Sequence, residues 1–299
     1  MNWDFRNAEE LIKLCNEKSM PISEVMIKRE MQLGGVRKHA IMDQIDKNLR
    51  VMNTAVDRAI SDPVKSMGGL IGGEANKLNN LDKAKAICGP MIHRTIINAL
   101  AVSETNASMG VIVAAPTAGS AGVLPAVLIA MYEYGDISMD TLRRGLINAS
   151  AIGYIITRNG SVSGAEAGCQ AEVGSASAMA ASALVEMLGG TPEQCCEAAS
   201  IALSNLLGLV CDPVRGLVEV PCQTRNTIGA VGAFTAAELA LADAGLNIPL
   251  DEMIKITLDV GKTLSENLRE TAKGGCAVAP SLCAECSRDA AWQKARSLM

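Results

Sequence analysis

Residues 41–60 read IMDQIDKNLRVMNTAVDRAI, and Ile41, Ile45, Leu49, Met52, Val56 and Ile60 fall at steps of three and four. That spacing lays one apolar stripe along an α-helix and turns the intervening charges to water. Asp62-Pro63 ends the run, because proline cannot continue a helix and restricts the residue before it. The same grammar recurs downstream. Thr191-Pro192-Glu193-Gln194 reads as a helix start, with Thr as cap, Pro in the first turn and Gln at the capping-box position. Gly189-Gly190 closes the helix before it. After Asp251, the positions Met253, Thr257, Val260 and Leu264 repeat the helical step, and Gly274-Gly275 is the expected stop for that region. No strand-loop-helix alternation and no fixed-period repeat appears. The fold class expected is mainly α, one large helical domain.

Composition agrees with that reading. The 299 residues are 49% hydrophobic, enough to bury a substantial core, yet only 2% aromatic. Such a core must be built from Ala, Leu, Ile, Val and Met, which suits closely packed helices better than an aromatic-rich sandwich. The charge balance of 27 basic against 32 acidic residues is small and unclustered, so nucleic acid is not expected as a partner. The first twenty residues alternate charged and apolar side chains and hold no secretory signal, which places the chain in the cytoplasm as an expectation. Thr105 to Tyr132 carries no charge but contains Pro116, Pro125 and several glycines, so it is read as buried protein and not as a membrane span.

Between the helical patterns lie three glycine-rich, uncharged or weakly charged stretches: Ser66 to Gly73, Ser103 to Gly122, and Asn159 to Gly174. They are too apolar for a solvated linker and too broken for a regular helix. Buried loops that bring backbone close to a ligand are expected there.

Ten cysteines in a cytoplasmic chain point away from a disulfide framework and toward metal, catalysis or plain burial. Cys15, Cys88, Cys195 and Cys196 lie in helical patterns, where a thiol usually behaves as a small hydrophobe. Cys211 and Cys222 differ, because they bracket a segment with two prolines and a glycine that must be a loop. Cys169 sits in the third glycine-rich stretch. Three thiolates on irregular backbone suit an iron-sulfur cluster or zinc, although none of the three forms a Cys-x-x-Cys pair and buried structural thiols fit the spacing as well. Three ligands would leave one iron open as a Lewis acid, able to take a hydroxyl from a substrate.

A dehydration would further require a carboxylate pocket and a base. Asn106, Ser108, Thr117, Ser120, Ser161 and Ser163 offer side-chain donors, and neighbouring glycines such as Gly119 leave N–H groups approachable. Each hydroxyl could equally bond its own backbone. Arg158, Arg215 and Arg225 are candidate carboxylate clamps. His39 and His93 both fall in helical patterns and read as structural or surface residues, so the base is sought among carboxylates. Glu166 and Glu172 flank Cys169, with Glu104 and Glu219 comparable. In the tail, Cys276, Cys283 and Cys286 form a second three-thiol group that reads as a further metal site, a mobile arm lending a ligand to the first centre, or an unliganded tail.

Several long strings are distinctive: FRNAEELIKL, PISEVMIKRE, SMGGLIGGEANKL, NASMGVIVAAPTAGSAGVLPA, SGAEAGCQAEVGSA and NLLGLVCDPVRGLVEVPCQTRNTIGA. On these the chain, from about Phe5 to Gly275, resembles the α subunit of bacterial iron-sulfur L-serine dehydratases. The resemblance implies a helical catalytic domain over residues 1–275 and a tail over 276–299. It further implies a four-iron, four-sulfur (4Fe-4S) cluster on Cys169, Cys211 and Cys222, and elimination of water from L-serine to yield pyruvate and ammonia in an oxygen-sensitive enzyme. It implies a β subunit, in a heterodimer or higher oligomer, that completes the site and carries a Ser-Ser-His-Thr type motif. No such motif occurs in this chain. The cysteine-containing ending after Gly275 departs from the short Thr-Pro-Thr-Gly ending of similar chains; in some fused members, a cysteine from the extreme C-terminus occupies the open iron in the resting state. Rival expectations are the same scaffold acting on L-threonine or L-cysteine, and a non-catalytic iron-sulfur redox or sensor protein.

Overall fold

The apolar stripe at 41–60 forms a helix in the computed structural model, which describes residues 2–245 and 248–282. In chain order the helices are α1 (Ala8–Lys18), α2 (Ile22–Gly34), α3 (Lys38–Ser61), α4 (Glu74–Asn79), α5 (Pro90–Ala107) and α6 (Val123–Tyr134). They continue with α7 (Met139–Asn159), α8 (Gly164–Ala167), α9 (Ser175–Met187), α10 (Pro192–Ser204), α11 (Cys222–Leu241) and α12 (Leu250–Thr263). Among the described residues no strand forms, and the one β-type pairing is an isolated bridge between Cys211 and Arg269. The molecule is a mainly α, single-domain fold.

Helix α9 is its axis. Every residue of SASAMAASALVEM except Glu186 is buried, the signature of a helix enclosed on all sides. It packs against α6, α7, α10 and α11. Small residues make that enclosure possible. On α7, a Cβ at Gly145 would lie 2.6 Å from Met187 Sδ and one at Gly153 would lie 3.0 Å from Met179. Two glycines eight residues apart thus meet two methionines eight apart in the opposite sense, so α7 and α9 run antiparallel with their backbones close together. The aromatics contribute little beyond one corner, where Phe5 meets Tyr154 edge-on and the Arg29 guanidinium stacks 3.9 Å from the Tyr154 ring.

The start of α10 carries the expected capping box, with Thr191 and Gln194 each bonding the other's backbone. Helix α3 ends at Ser61, just before Asp62-Pro63. His39 and His93 lie on α3 and α5. Nine consecutive buried residues of α6, Val123 to Met131, account for the uncharged run after Thr105. Among the described residues no helix is long and apolar enough to cross a membrane.

Three expectations need correction. Helix α12 does not run on to Gly274-Gly275 but stops at Thr263, because Leu264 turns extended and the Ser265 hydroxyl caps a new 3-10 turn by accepting from Asn267 N–H. Cys88 lies ahead of α5 in a non-helical segment, half-buried. The glycine-rich stretches are not loops throughout. Ser103 to Ala107 completes α5, Ala118–Ser120 is a 3-10 turn, and Asn159 to Gly174 contains α8 and a π-helical turn, Gln170–Gly174, that runs straight into α9. Within the three stretches only Gly69, Gly72, Gly73 and Gly168 have positive φ. Nor are the stretches wholly buried, since Met67, Met109 and Val111 are exposed.

Candidate metal centre

Five segments converge at one end of α9: the close of α5, the turn at 117–122, α8 with the π turn, the segment 205–221 leading to α11, and the chain after α12. Hydrogen bonds fix their order. Gln170 N–H donates to the Leu209 carbonyl, Gln170 Nε2 donates to the Thr257 carbonyl, and Gln170 Oε1 accepts from Gly208 N–H. Cys211 N–H donates to the Leu268 carbonyl at 2.8 Å, and Glu270 N–H donates to the Cys211 carbonyl at 2.7 Å. Gly168 makes the approach possible: its φ is +76°, and a Cβ there would stand 2.7 Å from the Leu209 carbonyl oxygen.

This weave brings Cys169 and Cys211 together, while Cys222 stands outside their close group but near enough to feel the charge of Cys169. All three are buried, Cys169 at 2%, Cys211 at 3% and Cys222 at 7% exposure. Cys169 and Cys211 hydrogen-bond to each other, and with Glu172 they form a trio whose ligating atoms lie within 4.8 Å of one another. The backbone around them is more regular than the sequence suggests. Cys169 opens the helical turn that leads into α9, and Cys222 is the first residue of α11. Helix N-termini favour negative charge, so both positions suit thiolates.

The electrostatics split the pair. The Cys211 hydrogen bond, helped by Arg225, pulls the Cys169 thiol below its ordinary value against the cost of burial and the neighbouring Glu172. Cys211, which gives that hydrogen bond and is itself desolvated, is pushed up. Burial pushes Cys222 up to about 12, with Cys169 and Glu172 adding to the effect. Burial also raises the Glu172 carboxyl, and Glu270 adds to this against the Thr117 hydrogen bond.

Arg225 is the cation of the site. Its Nη1 donates to Asp212 Oδ1 at 2.6 Å and to the Val210 carbonyl at 2.7 Å. Burial opposes ionisation of Asp212, but the Cys276 N–H at 2.6 Å from Oδ2 and the Arg225 guanidinium outweigh it and hold the carboxyl below its usual value. Cys276 is thereby anchored to Asp212. Its thiol is raised by burial and then by Asp212. Cys283 and Cys286 lie outside the described residues.

The polar candidates divide into two walls. Asn106 Nδ2 donates to the Ala118 carbonyl, Thr117 Oγ1 lies 3.1 Å from Ser120 Oγ and donates to Glu172 Oε1 at 2.8 Å, and a Cβ at Gly119 would stand 2.9 Å from that carboxylate. On the other side a Cβ at Gly164 would stand 2.8 Å from Cys211 Sγ and 2.9 Å from Glu172 Oε2, which puts Ser163 next to the thiols. Ser161 donates to Glu166, whose side chain is exposed, and Ser108 bonds back to the Thr105 carbonyl. Of the carboxylates weighed, Glu172 is thus the one among the thiols. Glu104 caps α4 from outside by accepting from Gly73 and Ala75 N–H, and Glu219 accepts from Ser66, Gly68 and Leu70. Arg158 is exposed and reaches Tyr154, and His93 lines a surface groove with Cys88 and Arg94.

Two residues escaped the sequence reading. Asn226 ties the turn at 117–122 to α11, donating to the Gly119 and Cys222 carbonyls and accepting from Gly122 N–H. Its signal was a polar residue on the buried side of an otherwise small-residue helix. Asp212 gave its signal by following Cys211 directly, four residues from a glycine turn and within reach of an arginine one helical turn into α11.

Residues 17–277 match the family model for the serine dehydratase alpha chain. The chain belongs to the serine dehydratase α-chain family. It is 49% identical over 278 residues to the probable L-serine dehydratase, alpha chain, of Bacillus subtilis, covering 93% of this chain and 92% of that protein. To the L-serine dehydratase, alpha chain, of Peptoniphilus asaccharolyticus it is 42% identical over 271 residues, covering 90% and 93%. The L-serine dehydratase of Streptomyces coelicolor is 40% identical over 289 residues, which cover 93% of this chain but 62% of that longer protein. The part matched as a serine dehydratase α chain holds Cys169, Glu172, Cys211, Cys222, Arg225 and Cys276, and ends before Cys283.

Proposed function

We propose that this chain is the catalytic subunit of an L-serine dehydratase, a lyase that eliminates water from L-serine to give pyruvate and ammonia with the help of a four-iron, four-sulfur cluster. The observation that carries the reading is the meeting of Cys169 and Cys211, distant in sequence, beside the Glu172 carboxylate and the Arg225 guanidinium, with the buried Cys222 near enough to feel the charge of Cys169. The donor set fits such a cluster: soft sulfur ligands, two of them at helix N-termini, with Arg225 nearby to offset the negative charge of thiolates. When bound, the cluster would supply an iron with a free position, a Lewis acid for the departing hydroxyl.

The chain's own residues would do the rest. Asn106, Thr117, Gly119 and Ser120 on one wall, with Ser108 behind them, and Ser161 and Ser163 on the other, would line the substrate carboxylate and hold its orientation, the Thr117, Ser161 and Ser108 hydroxyls turning from Glu172, Glu166 and the Thr105 carbonyl to donate to it. Arg225 adds a positive charge that favours an anionic substrate. Glu166, at the outer edge, is a candidate to move a proton. Neither histidine of this chain lies at the thiols, so a proton-transferring side chain from a β subunit is part of the proposal. The greater length of the Streptomyces relative leaves room for such a second region. We assign residues 1–275 to the catalytic domain, 276–299 to a tail whose Cys276, Cys283 and Cys286 are candidate extra ligands, and the enzyme to the cytoplasm.

The test is anaerobic co-purification with the β subunit, iron and sulfide analysis, and a pyruvate assay before and after air. Stoichiometric iron and air-sensitive serine turnover are expected. Turnover that survived aeration and chelation would overturn the reading.

A further inference from the structure

Glu172 is not explained by the fold. Among the described residues it belongs to the one trio of potential metal ligands, with Cys169 and Cys211 as the other members. It stands three residues after Cys169, within a π-helical turn, and the ligating atoms of the two lie within 4.8 Å of each other. Such π turns recur where a helix must present functional groups.

Its two oxygens are treated differently. Oε1 is held by the Thr117 hydroxyl at 2.8 Å. Oε2 faces the small space beside Gly164 that Cys211 Sγ also faces, since one added Cβ there would touch both atoms. No lysine or arginine among the described residues forms an ion pair with Glu172, and the Arg225 guanidinium of the site is committed to Asp212. A largely enclosed carboxylate with one hydroxyl donor and no counter-cation is costly to keep ionised. A metal cation held by the adjacent thiols would remove that cost, and carboxylate oxygen is an ordinary ligand for iron.

We propose that Glu172 is a fourth protein ligand of the metal centre, its carboxylate oxygen closing the corner that Cys169, Cys211 and Cys222 leave open until a substrate oxygen displaces it. This deepens the dehydratase reading and rests on it. Thr117 then has a defined part as the residue that positions the carboxylate, and Gly164 as the residue that keeps the space between carboxylate and thiol clear.

Electron-nuclear double resonance on the full chain, reconstituted anaerobically with iron and sulfide and reduced to its paramagnetic state, tests this without substrate. Wild-type protein carrying carbon-13 in its glutamate carboxyl groups is expected to show carbon-13 coupling to the cluster, and unlabelled protein in oxygen-17 water is expected to show no water coupling. Glu172→Gln should lose the first signal and gain the second as water takes the corner. Absence of carbon-13 coupling in the labelled wild type overturns the proposal and needs no variant to do so. An intact cluster in Glu172→Gln that admits no water overturns it as well and points to another ligand. Failure of the wild type to assemble any cluster sinks the dehydratase reading itself, whereas a cluster without glutamate coupling removes only the assignment of Glu172.

Discussion

Arg225 and Asp212 are joined at 2.6 Å where the chain enters the site, and the pair is nearly closed off from water, with side-chain exposures of 16% and 3%. The same guanidinium reaches the Cys169 sulfur and lowers its pKa. One cation therefore holds the 205–221 segment to α11 and stabilises a thiolate. Arg225→Met would leave Asp212 as an uncompensated buried charge, at a cost of about 3–5 kcal/mol. Urea unfolding of the anaerobic, metal-free protein measures this directly, and iron bound after reconstitution should fall as well. A loss under about 1 kcal/mol would place the pair among surface contacts.

Gly164 makes a second, more local prediction. A methyl group there would lie 2.8 Å from Cys211 Sγ and 2.9 Å from Glu172 Oε2, closer than real Cβ contacts run. Gly164→Ala should force one of the two groups aside, costing about 1–3 kcal/mol of stability. The larger effect should be on iron and sulfide content. Wild-type cluster content in Gly164→Ala would mean that the space beside this glycine is not part of the centre.

Glu219 anchors the first glycine-rich stretch to the segment between Cys211 and Cys222. Its carboxylate takes Ser66 Oγ at 2.7 Å, Gly68 N–H at 2.6 Å and Leu70 N–H at 3.1 Å while only 2% exposed. In Glu219→Gln one oxygen becomes an NH2 facing a donor, so at least one charge-assisted bond, worth about 1.5–3 kcal/mol, is lost. The thermal midpoint should drop accordingly. Ser66→Ala, which removes one neutral donor to the carboxylate and the acceptor of a long 3.3 Å bond from Ile71 N–H, should cost less, and equal losses in the two variants would contradict the charged cradle.

How far the sequence reaches can be judged from particular residues. Period and cap chemistry are local, so Ile41 to Ile60 and the Thr191-Gln194 box located α3 and α10 closely. The thiols Cys169, Cys211 and Cys222 stood out because proline and glycine around them marked special backbone. What was not legible is what tertiary contact decides. Gly164 and Gly174 look like helix breakers in isolation, yet both sit in helical turns, and Gly164 permits one where a side chain would collide with Cys211. Glu166 and Glu172 are equivalent by distance from Cys169 in the chain, and only the π turn sends one to solvent and the other to the thiols. Asn226 and Asp212 act by bonding segments more than ten residues away, which no local pattern encodes.

Away from the site, Glu186 on α9 sets a pH dependence. Its Oε2 accepts from Ser23 N–H at 3.1 Å and Asn148 Nδ2 at 2.8 Å, while Oε1 is enclosed with no hydrogen-bond partner among the described residues. Burial raises the carboxyl above 4.5, opposed by Ser23, Asn148 and Arg144. The charge in turn helps push up the buried Cys15 and Cys195 thiols around it. Because the folded protein binds this proton more tightly than the unfolded chain, the protonated group favours folding. Its contribution is fully present below about 4.5 and is lost as pH rises through the raised native value, with a slope of at most about 1.4 kcal/mol per pH unit. Glu186→Gln carries no such proton, so the stability of wild type relative to the variant should decline as pH is taken from 4.5 to neutrality. Urea unfolding of both proteins across that range reads the difference, in which titrations common to the two cancel. A difference that stayed flat, or that grew with pH, would mean that Glu186 is already charged and satisfied in the folded protein.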